Sequence, residues 1–366
     1  MKKTLLPLTV ALIILTLLGL LVGCGGQITS RAPATVLKAE QQQEVDWFDD
    51  LVKVSEEFIK KGLQVMQPWE AYESLVLKPD PGYYIIDLRS RLDFMKGSIL
   101  GAVNIPYETS WQDEQIMKIP VDKKIVLVCE DGAKSAQTAV MLGMKGYDVT
   151  ILLYGMAGWN PPKVEDCPVI NNEIETSETL AVNKYPLPSI TTGNMNAGLD
   201  GVLTAQNQKI FSAGTDGYIA VEELQGSLSG EGEAKYFLVD LRRSEHYLKG
   251  HIPGAINIPY EEILQTANLE KLPAGMPDTK IVLVCYTGFK ANQAARILNQ
   301  LGYQAVPLQL GMSGWTKDKE VIGILPEECY WRSCYGDASQ EGVSSTSCSK
   351  GYPTIVTRLQ NLGGGG

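Results

Sequence analysis

The chain has 366 residues, of which 44% are hydrophobic and 20% charged, so it is globular and too long for a single ordinary core; two domains are expected. A net charge of −10 and a pI near 4.9 exclude nucleic acid as a partner, because neutralising phosphates takes clustered Lys and Arg.

Residues 1–23 open with Lys2 and Lys3 and continue into an apolar stretch from Leu5 to Val22, the layout of an export signal. The stretch ends in "LVGCGG", which resembles the bacterial lipobox, where a cysteine following small residues is acylated. That resemblance implies a lipidated Cys24 and an extracytoplasmic chain held to a membrane by acyl groups worth about 0.8 kcal/mol per buried CH₂. An uncleaved membrane anchor with an incidental cysteine is the alternative. Residues 24–61, polar around "EQQQEVDWFDD", are expected to form a tether.

The body of the chain repeats itself. "YIIDLRSRLDFMKGSILGAVNIPY" from Tyr84 aligns without gaps on "FLVDLRRSEHYLKGHIPGAINIPY" from Phe237, and "KIVLVCEDGAKSAQTAVMLGMKGY" from Lys124 aligns on "KIVLVCYTGFKANQAARILNQLGY" from Lys280. Cys129 falls on Cys285, Lys134 on Lys290 and Trp159 on Trp315. Domains are therefore expected at 62–168 and 210–326, joined by a linker at 169–209 that is rich in Asn, Thr, Ser, Pro and Gly. A tail at 327–366 carries Cys329, Cys334 and Cys348 and no recognisable fold.

Within each copy, short unbroken apolar runs such as "YYIID" and "KIVLV" predict strands buried on both faces of a parallel sheet. The segments after each cysteine space their apolar residues three and four apart and stop at Gly146 and Gly302, which predicts helices. Strand and helix alternate, so each copy is predicted to be α/β with helices on both faces of the sheet.

Both cysteines end a buried strand where a short loop leads into a helix. Such a loop aims backbone amides and the positive end of a helix dipole at the sulfur, which favours a thiolate and offers the same donors to a second sulfur. Gly132 and Gly288 permit the close backbone approach, and Lys134 and Lys290 each add a cation.

With "DLR" at a strand, "KGHIPGAINIP" ahead of mid-domain, a strand-ending cysteine, a Gly- and Lys-containing loop and a closing "GMxGW", each copy resembles a rhodanese domain. The resemblance implies two tandem rhodanese-like domains, each a mostly parallel five-stranded sheet with helices on both faces. It also implies sulfurtransferase activity, in which a cysteine takes sulfane sulfur from thiosulfate or a persulfide donor and passes it to a thiol, cyanide or protein acceptor. Carried onto this chain, Cys285 is the persulfide-bearing nucleophile, cradled by Tyr286, Thr287, Gly288, Phe289, Lys290 and Ala291. Cys129 holds the equivalent place, cradled by Glu130, Asp131, Gly132, Ala133, Lys134 and Ser135. No cofactor or metal is implied.

Charge separates the two loops. Glu130 and Asp131 outnumber Lys134 and should raise the Cys129 pKa and repel an anionic donor, whereas "CYTGFKA" has a cation and no acid, which favours Cys285 as the main site. Glu245 is expected to pair with Arg242. Only the second copy has histidines, His246 and His251, so a Cys-His general base shared by both copies is excluded, and His251 is expected to be structural. Phosphatases that share this fold need an Arg six positions after the cysteine, where this chain has Ser135 and Ala291. The alternative with more support is a membrane-tethered module that carries a persulfide or docks a partner without multiple turnover. Cys167, Cys329, Cys334 and Cys348 allow three disulfide pairings between which the sequence does not choose.

Overall fold

The computed structural model describes residues 45–160, 172–191, 198–215, 217–230 and 236–323. The expected signal segment, lipidated Cys24 and the cysteines at 167, 329, 334 and 348 lie outside the described residues. No described helix is long and apolar enough to cross a membrane.

The first copy runs through α1 (Phe48–Lys60), β1 (Val65–Met66), α2 (Pro68–Ala71), a π-helical stretch Tyr72–Leu77, β2 (Tyr83–Asp87), α3 (Arg91–Lys96) and β3 (Val103–Asn104). It continues through α4 (Asp113–Ile116), β4 (Lys124–Val128), α5 (Ala133–Met144), β5 (Val149–Leu152) and α6 (Gly155–Trp159). All strand pairs are parallel, in the order β1-β5-β4-β2-β3, with Asp87 opposite Val128 and Leu127 opposite Ile151. Ile125 to Val128 are fully buried, which is why this strand reads as a continuous apolar run rather than an alternating one.

The second copy begins with α7 (Leu199–Ala213) and α8 (Val221–Leu228), then β6 (Tyr236–Asp240), α9 (Ser244–Tyr247), β7 (Ile256–Asn257) and α10 (Thr266–Leu269). After these come β8 (Lys280–Val284), α11 (Phe289–Gln300), β9 (Ala305–Pro307), α12 (Met312–Trp315) and α13 (Lys319–Ile322). Its parallel sheet has four strands in the order β7-β6-β8-β9; at the edge where the first copy has β1, Ile219 makes a single parallel bridge to Leu308.

Both copies anchor a strand end in the same way. Arg89 donates from Nε to Asp87 Oδ1 at 3.0 Å, from Nη2 to Oδ2 at 2.7 Å and to the Gly97 carbonyl at 2.7 Å. Arg242 grips Asp240 and the Gly250 carbonyl equivalently and also donates to the Val321 carbonyl at 2.5 Å. The expected Glu245–Arg242 pair does not form. Arg242 is fully buried on Asp240, and Glu245, on the exposed start of α9, instead lies 3.7 Å from Arg243.

The copies share one core through α5 and α11, which pack along each other. Tyr107 donates to Gln137 Oε1 at 2.7 Å, Gln137 Nε2 donates to Asn292 Oδ1 at 3.0 Å, and the fully buried Arg296 donates to Gln137 Oε1 at 2.8 Å. Helix α7 reaches back to the first copy, stacking Phe211 on Trp111 at 5.8 Å and pairing Asp200 with Lys145. Two segments read as loose from composition include described helix. Residues 48–60 of the expected tether form α1 and pack on α5, and residues 199–209 of the expected linker belong to α7. Residues 172–191 lie along the second copy: Glu175 bridges His251, Trp315 Nε1 donates to the Glu173 carbonyl at 2.8 Å, and Tyr185 N donates to the Glu270 carbonyl at 2.7 Å. Hydrogen bonds, most of them to backbone groups, hold a stretch that buries little of its own side-chain surface.

Candidate active site

Cys129 directly follows β4 and Cys285 directly follows β8, each with its sulfur turned into the loop that opens α5 or α11. Cys129 Sγ accepts from Gly132 N at 3.0 Å and Ser135 N at 3.4 Å; Cys285 Sγ accepts from Gly288 N at 3.2 Å and Ala291 N at 3.4 Å. Gly132 and Gly288 both sit at φ 94°, a left-handed conformation that turns their N–H groups toward the sulfur and that residues with a Cβ adopt at a cost.

A second clamp fixes each loop from behind. Met156 N donates to the Cys129 carbonyl and Met312 N to the Cys285 carbonyl, both at 2.8 Å. The turn approaches so closely that a Cβ on Gly155 or Gly311 would stand 2.3 Å from the cysteine carbonyl oxygen. The "GMxGW" pattern therefore holds the cysteine loop from the end of the neighbouring strand, a role its sequence position does not disclose.

Burial opposes ionisation of both thiols more strongly than the amides favour it. It pushes the Cys129 thiol up to about 12, reinforced by the Asp131 and Glu130 charges and opposed by hydrogen bonding from Ser135. Burial also pushes the Cys285 thiol up, but there the main forces against it are the amides of Ala291, Thr287, Gly288 and Lys290. The expected net preference for the thiolate is thus overridden in the resting protein, while the expected charge contrast between the loops is present.

The lysines are not bare cations. Lys290 pairs with Glu261 Oε1 at 2.5 Å and lies 4.9 Å from the centre of the Tyr260 ring. Lys134 lies 3.5 Å from Glu108 and 3.8 Å from Glu130. Burial alone would raise the Glu261 carboxyl, yet the hydrogen bond and charge of Lys290 carry it below its ordinary value. The Cys285 loop itself contains no acid, as its sequence says; the acid that pairs with its lysine comes from another segment, the turn after β7. The signal lay in the repeated "NIPYE", which carries Glu108 and Glu261 in both copies.

Of the other cradle residues, Tyr286 points out of the loop, its hydroxyl 2.8 Å from His246 Nδ1 and accepting from Arg243 N at 3.2 Å. Asp131 caps Ala133 N at 3.0 Å and has its Oδ1 4.0 Å from the sulfur. Thr287, Gly288 and Phe289 line a cleft together with Asp131 and Ala133 of the first copy, so the two loops face each other. His251 is fully buried, stacked 3.7 Å from the Tyr247 ring, and donates from Nδ1 to the Tyr247 carbonyl at 3.0 Å.

Two parallel α/β units, each with a cysteine directly after a central strand facing the amides of a helix-opening loop, define a tandem protein built around two such cysteine loops. The chain belongs to the rhodanese-like domain family, whose model matches residues 70–161 and 220–318. It is similar to the thiosulfate sulfurtransferase PspE of Escherichia coli, with 34% identity over 70 residues, 19% of this chain and 62% of that protein. It is also similar to a candidate sulfur carrier protein, YrkF of Bacillus subtilis, with 32% identity over 84 residues, 23% of this chain and 43% of that protein. The chain thus spans under half of YrkF and under two thirds of PspE. Among solved structures, a thiosulfate sulfurtransferase from Pseudomonas aeruginosa aligns over 73% of this chain and 47% of its own, at 19% identity and a TM-score of 0.28. Family membership and these relatives support a role in sulfur transfer.

Proposed function

We propose that the protein is a sulfurtransferase that carries sulfane sulfur as a cysteine persulfide, chiefly on Cys285. The observation that carries this reading is the pair of amides from Gly288 and Ala291 directed at the Cys285 sulfur, with no carboxylate in the loop itself. The Cys285 thiolate attacks the outer sulfur of a donor such as thiosulfate; the new S–S bond takes that sulfur and the bonding pair leaves with sulfite. An acceptor thiolate or cyanide then attacks the outer sulfur, and its bond to Cys285 breaks to restore the thiolate. The cradle amides remain as donors to the charge on the outer sulfur.

Cys129, with Glu130, Asp131 and Glu108 around Lys134, suits a neutral or protein-borne sulfur source. Lipid on Cys24 would hold both domains at the outer side of a membrane, a reading supported by the "LVGCGG" sequence alone.

The test is the mass of the soluble part after treatment with thiosulfate or a persulfide donor, followed by peptide mapping. A gain of about 32 Da on the Cys285 peptide, lost on adding cyanide or thiol, is expected. Sulfite release that continues past one equivalent per reactive thiol distinguishes an enzyme from a carrier module. No added sulfur on either peptide with any donor overturns the proposal.

A further inference from the structure

The two copies place the same surface of the same loop in different surroundings. Phe289, the first residue of α11, lays its ring over the loop of the first copy: a Cβ on Gly132 would stand 2.3 Å from Phe289 Cε1 and 2.7 Å from Cζ. The ring also meets Tyr154 edge to face at 5.2 Å and is itself only 4% exposed. The residue equivalent to Phe289 in the first copy is Ala133, and the equivalents of Gly132 and Tyr154 in the second are Gly288 and Leu310. There no atom would come nearer than 3.4 Å to an added Cβ on Gly288. Ala133, Asp131, Thr287, Gly288, Asn292 and Phe289 itself line a narrow cleft between the loops, and a Cβ on Gly288 would meet the backbone of Leu310 at 3.4 Å and of Gly311 at 3.8 Å, with no ring over it.

The geometry points to Phe289 as a plug over the Cys129 cradle and to Ala133, its short counterpart, as the residue that leaves the Cys285 cradle without an equivalent cover. Both thiols are buried at rest, and a single large-for-small exchange at equivalent positions puts a fixed ring in the path to one of them and none in the path to the other. This rests on the proposal that both cysteines carry sulfur, and it assigns the wider range of substrates to Cys285. Copy one thereby forms a wall of the Cys285 site and copy two the lid of the Cys129 site.

The experiment follows alkylation of each cysteine by peptide mass, using two neutral probes of different size, iodoacetamide and a bulky N-aryl maleimide. In the unaltered protein, the change from small to large probe is expected to slow Cys129 at least fivefold more than Cys285. The acidic residues beside Cys129 slow both neutral probes alike, so the ratio reads access and not charge. Phe289→Ala is expected to abolish most of that size discrimination at Cys129, and Ala133→Phe to create it at Cys285. Equal size dependence at the two thiols of the unaltered protein overturns the proposal even if neither variant folds. Discrimination that persists at Cys129 in a folded Phe289→Ala protein overturns it as well. Alkylation that follows the expected pattern while no sulfur can be loaded on either thiol retains the plug and sinks the sulfur-carrying reading.

Discussion

The Glu261–Lys290 pair sets how strongly an anion is drawn to Cys285, and its removal has a calculable effect. The side chains of Lys290 and Glu261 are 28% and 61% exposed, so the pair is worth about 0.2–1 kcal/mol and breaks at little cost to the fold. Replacing Glu261 by Gln removes one negative charge from beside the cradle and frees the ammonium. A dianion such as thiosulfate and a unit charge roughly 8 Å apart in water interact by about 1 kcal/mol. Salt at about 0.15 M, with a Debye length of about 8 Å, removes roughly half of that. Glu261→Gln is therefore expected to raise kcat/KM for thiosulfate about two- to fivefold, with the larger gain at low salt. An uncharged organic trisulfide should be used at an unchanged rate. Sulfite and thiocyanate release, measured at two salt concentrations with both donors, provides the comparison. An equal change for charged and uncharged donors, or none for thiosulfate, would refute the assignment of Glu261 as the residue that cancels the loop cation.

Further outcomes follow from burial and close packing. Because burial holds both thiols above their ordinary range, alkylation of each should quicken about tenfold per pH unit through neutrality, with no plateau below pH 9; a plateau near pH 7 would contradict the burial of either sulfur. An acid bound more tightly when folded contributes its full stability below its unfolded pKa and loses it as pH rises toward the folded one. The melting temperature should accordingly fall above about pH 9, and Cys129→Ser should flatten that decline. Gly311→Ala places a Cβ 2.3 Å from the Cys285 carbonyl oxygen at φ 56°, so a loss of at least about 2 kcal/mol in urea unfolding is expected. Arg296 is fully buried and forms no ion pair among the described residues; Arg296→Ala should cost about 2–4 kcal/mol through lost packing and hydrogen bonds, and Arg296→Met, which keeps most of the volume, markedly less. Equal costs for the two variants would mean that the guanidinium's polar contacts, not packing, are what Arg296 supplies.

The repeat, the parallel α/β character of each copy and the position of each cysteine at a strand end were legible in the residue string. They follow from local regularities: apolar runs that only a doubly covered strand explains, helical spacing after each cysteine, and glycine where a left-handed turn must open a helix. The contrast between "CEDGAKS" and "CYTGFKA" likewise disclosed which thiol carries the greater acidic burden, because the acids are neighbours in sequence. Contacts between distant segments decided the rest. Glu261 reaches Lys290 across 29 residues, Gly311 folds onto the Cys285 carbonyl, and Phe289 covers a loop whose Gly132 lies in the other copy. Even the net direction of the thiol pKa shifts belonged to the tertiary structure, since depth of burial is set by everything packed around a loop and not by the loop's own residues.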